Sequence, residues 1–231
     1  MTATRSIALL VAAAFVMQAA DVRAQGAFAG VHAYLANALS GVFGGVLLHV
    51  QRGEWPRQVP VVLGHEGSGE VVEVGPGVTD LRPGDHVVLS WIAPCGRCRW
   101  CLAGHEARCT FAAEVVGPQG VLFDGTTRLS EGGEPVRHYL GVSSWAEYAV
   151  VPASGAIKVR DDAALDVVAL VGCAVATGVG AVLNTAKVEP GANVVVFGLG
   201  GIGLNVVQGA RMVGAGKIVG VDLNPAREAL A

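Results

Sequence analysis

The chain has 231 residues, 52% of them hydrophobic and 15% charged, with a formal net charge of −3. That length allows one large domain or two small ones, and the absence of any Lys/Arg block excludes a nucleic-acid or anionic-membrane surface. Of the five cysteines, four fall between positions 95 and 109, which fits metal binding or a reactive thiol and not a disulfide framework.

In chain order, Met1–Arg5 is short and positive, Ser6–Ala20 is an apolar run, and Val22-Arg23-Ala24 offers small residues flanking a cut. Residues 1–24 therefore read as a signal-peptide-like segment, with a fortuitous apolar helix as the other reading; the run is too short for a comfortable membrane span. Residues 25–47 are Ala/Gly-rich and carry no legible motif, and Gly41, Gly44 and Gly45 break the apolar stretch Ala36–Val50. From Val59 onward short β-type runs begin. Gly69–Val74 and His86–Leu89 are predicted strands, joined by turns at Gly75-Pro76-Gly77 and Pro83-Gly84-Asp85. A cysteine-rich excursion and a polar loop through Glu134 follow, and Trp145–Val151 resumes strand character.

Beyond Asp161 the period changes. Ala163–Val171 and Thr177–Ala186 are predicted helices, and Val194–Phe197 is a continuous apolar strand suited to a parallel sheet. Ile202–Val213 is a predicted helix, Ile218–Val221 a second buried strand, and Pro225 opens a further helix at its first position. Strand, helix, strand is a βαβ unit, so the class is α/β joined to β.

Three constellations carry chemistry. Cys95, Cys98, Cys101 and Cys109 place four thiols in one loop, enough to satisfy tetrahedral zinc with no open position, which makes a structural site; free thiols and an iron–sulfur cluster are the competing readings. Gly198-Leu199-Gly200-Gly201-Ile202-Gly203 matches G-x-G-x-x-G in the context that motif needs, after an apolar strand and at the start of an apolar helix. Gly198 permits the turn, Gly200 lets backbone approach a pyrophosphate, and Gly203 allows close helix–strand packing. Asp222 ends the second strand, where a carboxylate accepts the ribose hydroxyls of NAD and repels the 2′-phosphate of NADP. Taken singly, His65 in Gly64-His65-Glu66 reads as a satisfied polar residue and Cys173 as a small buried hydrophobe.

In order, "GHEGSGEVVEVGPGVTDLRPGDHVV", the four cysteines, "GCAVATGVGAV" and "VFGLGGIG" resemble zinc-dependent alcohol dehydrogenases of the medium-chain family, over roughly residues 49–231. The loop "DGTTRLSEGGEPVRHYLGVSSWAEYAVV" is similar to the alcohol and S-hydroxymethylglutathione dehydrogenase branches. The resemblance implies a partial GroES-like β-barrel catalytic domain with a structural zinc lobe over 48–173, then the first half of a Rossmann fold over 174–231. It implies that His65 and Cys173 are catalytic-zinc ligands with Glu66 beside the metal, and that His49 relays a proton. Thr177 would contact the nicotinamide region, Gly201 would belong to the NAD turn with its neighbours, and Arg227 would add a ribose contact. The implied reaction passes a hydride from an alcohol to NAD, giving an aldehyde or ketone. The family's setting is cytoplasmic and its members dimeric or tetrameric; export is the alternative that residues 1–24 suggest.

The chain departs from that pattern near its start. The family's first zinc cysteine falls, by ungapped counting, at Gly44; the proton-passing hydroxyl falls at Val46 and the neighbouring aspartate at Leu47. Resemblance begins abruptly at about Leu48, as a joined or frame-disrupted gene start would produce, and the far end is short by several Rossmann strands. Truncation at both ends is thus expected, with apolar sheet surface left exposed. Two functions compete: an alcohol dehydrogenase impaired by the missing thiolate, and a non-catalytic zinc-binding remnant of the same family.

Overall fold

The computed structural model describes residues 7–11, 31–36, 50, 53–54 and 57–231. Its strands, in chain order, are β1 (Ile7–Val11), β2 (Val31–Ala36), β3 (Val61–Val62), β4 (Gly67–Val74), β5 (His86–Leu89), β6 (Leu129–Glu131), β7 (Glu134–His138), β8 (Tyr148–Val151), β9 (Ala156–Lys158), β10 (Asn193–Phe197) and β11 (Lys217–Val221). They form two compact units. One contains His49–Cys173 together with β2, the other Ala174–Ala231 together with β1.

In the first unit β2, β4, β5, β8 and β9 make an antiparallel five-stranded sheet in the order β8-β2-β4-β5-β9. Val71, Val87, Leu89, Ala149 and Val151 turn inward to a core that also takes Leu81 and Val142. The alternation of Val71 inward with Glu70 and Val72 outward gives β4 a single apolar face. β5 is buried more completely because the segment Leu165–Gly172 lies across it. Gly172 approaches so closely that a Cβ there would meet the Leu89 carbonyl oxygen at 2.2 Å, and the Ser68 hydroxyl donates to the Leu165 carbonyl. Asp85, at the turn into β5, is held by Lys158 at 2.5 Å and by the Arg82 amide at 3.0 Å. A smaller three-stranded sheet, β3-β7-β6, adds Val62, Leu129, Val136 and Ala146 as a second core.

In the second unit β10 lies between β1 and β11, all parallel, with Val194 paired to Ile218 and Val196 to Gly220. The helix Gly201–Met212 buries Val206 and Ala210 against Val194 and Val196. The helix Ala174–Gly180 packs on it through small residues: a Cβ on Gly178 would stand 2.6 Å from the Ile202 carbonyl oxygen. Parallel β10–helix–β11 is the predicted βαβ unit.

Several boundaries differ from the sequence reading. β1 lies inside the signal-like segment, where Ile7 pairs with Asn193 and Val11 with Phe197. β2 lies in the stretch that carried no legible motif; it is only six residues long, in an Ala/Gly-rich surround. The polar loop through Glu134 contains the hairpin β6–β7, closed by Gly132 and Gly133 at φ 57° and 91°, the positive values a two-residue hairpin turn requires. The strand expected from Trp145 begins only at Tyr148, because the amides of Ser144 and Trp145 donate to the carbonyls of Gly64 and Leu63 instead of to a ladder. The helix expected from Thr177 starts at Ala174, widens to π geometry over Ala181–Ala186 and ends at Lys187 with φ 49°. The helix expected over Ala163–Val171 forms as one α turn, Leu165–Val168, followed by a 3-10 turn, Ala169–Gly172.

Candidate metal and nucleotide sites

The four clustered cysteines come from three short pieces of backbone. Cys95 precedes a glycine turn, Cys98 caps the single-turn helix Arg99–Leu102 that carries Cys101, and Cys109 follows the 3-10 turn Glu106–Arg108. One sulfur from each lies within 4.8 Å of the other three. Cys98 and Cys101 stand 3.5 Å apart, and the Cys95 amide donates to the Cys109 sulfur at 3.3 Å. The Cys101 backbone N–H brings the Cys98 thiol down to about 5, whereas burial pushes Cys101 up to about 12. A divalent cation at the centre would compensate the burial of thiolates there, since a coordinating thiol is deprotonated. Apart from Cys101, Cys109 and Ala112, the lobe's local core has only partly buried members such as Ile92 and Phe111. A metal is therefore the main cross-link available to it. The donor set fits zinc.

A second cluster unites residues more than about a hundred positions apart. His65, Glu66 and Cys173 each bring one donor atom to within 4.8 Å of the others. Chain geometry makes this possible. Gly64, at φ 94°, reverses the backbone between β3 and β4 and turns His65 and Glu66 to one side, while Cys173 follows the 3-10 turn that crosses β5. Burial lowers the His65 pKa to about 4, so at neutral pH its imidazole carries a lone pair and no charge, the form that ligates metal. Imidazole, carboxylate and thiol make a three-donor set, the number that leaves zinc an open position. Tyr139 meets the His65 ring edge-on at 6.0 Å, and the Arg57 guanidinium lies 5.7 Å from the Tyr139 ring centre. Sequence reasoning did not single out Tyr139 or Arg57; neither belongs to a motif with a spacing rule. His49, Gly44, Val46 and Leu47 lie outside the described residues.

The glycine turn joins β10 to its helix. Gly198 has φ 88° and donates its N–H to the Val221 carbonyl at 2.7 Å, tying the ends of the two parallel strands together. Gly200, in extended backbone, caps the helix that Gly201 begins. A Cβ on Gly203 would lie 1.8 Å from the Gly198 oxygen, so no larger residue fits there. Asp222 stands at the end of β11 and accepts from the amides of Asn224 and Leu199 at 2.8 and 2.6 Å. Those bonds, that of Asn224 first, hold its carboxyl below the usual range, and Arg227 contributes through its charge. Asp222 thus stays ionised beside the free end of the helix, where a pyrophosphate and a ribose would be received. A cleft of about 770 Å³ lies beside Asp222, between β11 and the Val207–Arg211 part of the helix, and is lined by Leu199, Val207, Arg211, Ile218 and Glu228, not by the turn glycines. Thr177 is exposed on the helix Ala174–Gly180 in the same unit. The turn, helix terminus and carboxylate fit a dinucleotide.

Residues 32–161 match the family model of the alcohol dehydrogenase GroES-like domain. The chain is 52% identical over 173 residues to S-(hydroxymethyl)glutathione dehydrogenase of Paracoccus denitrificans, covering 74% of this chain and 46% of that protein. It is 52% identical over 172 residues, with the same coverage, to the protein of that name from Escherichia coli O1:K1 / APEC. It therefore spans about half the length of the curated relatives it matches. Among solved structures, an alcohol dehydrogenase zinc-binding domain protein from Burkholderia ambifaria superposes with a TM-score of 0.79 at 38% identity. Benzyl alcohol dehydrogenase from Acinetobacter calcoaceticus gives 0.79 at 33%; each match covers 90% of this chain and 55% of the other.

Proposed function

Because this chain belongs to the zinc-dependent, NAD-linked alcohol dehydrogenases of the medium-chain family, we propose that it serves oxidation of a primary alcohol to an aldehyde. The observation that carries this reading is the convergence of His65, Glu66 and Cys173, separate from the four-cysteine cluster. The family's first cysteine falls, by counting, at Gly44, yet three donors meet without it, and three protein ligands are what a catalytic zinc uses.

The substrate class follows from what two relatives are named for. S-(hydroxymethyl)glutathione and benzyl alcohol share a terminal CH₂OH group and little else. In the proposed reaction the carbinol carbon gives up a hydride to the nicotinamide ring and the hydroxyl gives up its proton, leaving a formyl group (an aldehyde from benzyl alcohol, a thioester from S-(hydroxymethyl)glutathione), NADH and H⁺. Zinc, when bound, supplies the Lewis acidity that lowers the hydroxyl's pKa. The chain's own residues do the rest. His65 offers an uncharged imidazole, Cys173 a sulfur and Glu66 a carboxylate oxygen, and Tyr139 walls the imidazole on one side. Gly198, Gly200, Gly201 and Gly203 are assigned to the pyrophosphate, Asp222 and Arg227 to the adenosine ribose, Thr177 to the nicotinamide end and His49 to proton transfer.

The test is NADH formation at 340 nm by the purified, zinc-loaded chain, with benzyl alcohol and S-(hydroxymethyl)glutathione each as substrate. Turnover that needs both alcohol and zinc supports the reading. No turnover with either alcohol, from protein that retains zinc and binds NADH, supports the non-catalytic alternative.

A further inference from the structure

The turn that carries His65 and Glu66 is gripped by a loop about 80 positions further along the chain. Tyr139–Trp145 passes beneath it, bent by left-handed backbone at Leu140, Gly141 and Ser143, with φ of 53°, 70° and 53°. Its first member, Tyr139, donates its amide to the Val62 carbonyl at 3.2 Å, and Ser143 donates its hydroxyl to the same carbonyl at 2.9 Å. The Trp145 amide reaches the Leu63 carbonyl at 3.1 Å. Ser144 does two things at once: its amide donates to the Gly64 carbonyl at 3.1 Å, and its hydroxyl donates to the Glu66 carbonyl at 2.8 Å. The carbonyls of Val62, Leu63, Gly64 and Glu66 are therefore all taken by one loop.

The fit is close. A Cβ on Gly64 would lie 2.5 Å from Trp145 Cδ1 and 2.6 Å from Ser144 Oγ. Tyr139, Ser143 and Ser144 are each 1–2% exposed, so water does not compete for these bonds. A metal tolerates only a few tenths of an ångström of error in its donors, and donors meet that demand when their backbone is held by neighbours. Ser144 bonds the Gly64 carbonyl and the Glu66 carbonyl, which fixes the two peptide planes that flank the His65–Glu66 pair.

We propose that Ser144 is a positioning residue that presets His65 and Glu66 for their metal. The proposal rests on the zinc reading given above. Ser144 touches neither metal nor substrate; it acts through the Gly64 and Glu66 carbonyls. Removing the hydroxyl frees the Glu66 side of the turn and leaves the Gly64 side tied. The His65–Glu66–Cys173 site then loses affinity by about ten- to a hundred-fold, the range seen when a group supporting a ligand is removed. The four-cysteine site, built from another loop, keeps its affinity.

The experiment is zinc titration of the full chain against a chromophoric chelator, for the parent, Ser144→Ala, Ser144→Thr and Cys173→Ser. Cys173→Ser identifies which zinc belongs to which site. Expected are two zincs in the parent, one tight zinc in Cys173→Ser, a selectively weakened second zinc in Ser144→Ala, and parent-like affinity in Ser144→Thr. If Ser144→Ala does not fold, Ser144→Val against Ser144→Thr makes the same comparison, since both are branched and only Thr keeps the hydroxyl. A parent and Cys173→Ser with equal zinc content would overturn the metal site, and the positioning role with it. Two zincs in the parent, with unchanged affinity whenever the hydroxyl alone is removed, would overturn the positioning role and leave the metal site standing.

Discussion

His138 ends β7 only 1% exposed. Its Nε2 accepts the Arg128 amide at 3.1 Å, so the proton of the neutral ring sits on Nδ1, which is buried without a hydrogen-bond partner. Burial first, then the Arg128 charge, lowers its pKa to about 4, against a smaller opposing pull from Asp124. The unfolded chain, titrating near 6.5, binds more protons than the native state between those values, so native stability falls as pH drops from 6.5 toward 4. The full contribution is present above pH 6.5 and is worth about 3 kcal/mol for a shift of this size. His138→Gln, which keeps an acceptor for Arg128, should therefore flatten the stability–pH curve across that window. Urea unfolding at pH 7 and pH 4.5 checks it; parallel losses in parent and variant would refute the assignment. The same physics keeps the His65 imidazole uncharged at neutral pH, the form that the proposed metal site needs.

Among the elements, how much was legible depended on how local the signal was. The four-cysteine lobe and the glycine turn were readable because their donors and glycines lie within one loop or one strand–helix junction, where spacing is geometry. β10, β11 and the helix between them followed from apolar runs and period. The His65–Glu66–Cys173 cluster had no such signal, since a His on one turn and a Cys beyond a distant 3-10 turn meet only through the fold; only family resemblance pointed to it. The clamping loop was invisible because its hydrogen bonds go to backbone carbonyls, which leave no mark on residue type beyond two serines. The missed hairpin at Gly132-Gly133 is different, for its turn residues were present and were read as loop. The glycine turn gives a sharp element-scale prediction. Gly203→Ala places a Cβ 1.8 Å from the Gly198 oxygen and must open the turn. NADH affinity, followed by nicotinamide fluorescence, should fall at least about tenfold, since a misplaced turn loses the backbone approach to pyrophosphate. An unchanged dissociation constant would show that the turn does not bind the cofactor.

For the molecule as a whole, each unit has its own core, the first around Val71, Val87, Leu89 and Val151, the second around Val182, Val194, Val196 and Val206. The parallel sheet of the second unit is incompletely covered: Phe197, Val219 and Val221 are each about two-fifths exposed. Parallel strands are ordinarily buried on both faces, so this is a surface on which association would bury apolar area. Chemistry is divided between the units in the same way, with both metal clusters in the first and the dinucleotide turn in the second. The proposed function requires two zincs in the first unit, one to staple the cysteine lobe and one at His65, Glu66 and Cys173. Elemental analysis of the purified chain after dialysis against metal-free buffer tests this most directly. Two zincs per chain are expected, falling to one in Cys173→Ser; a parent that holds a single zinc, unaffected by that substitution, would refute the second site.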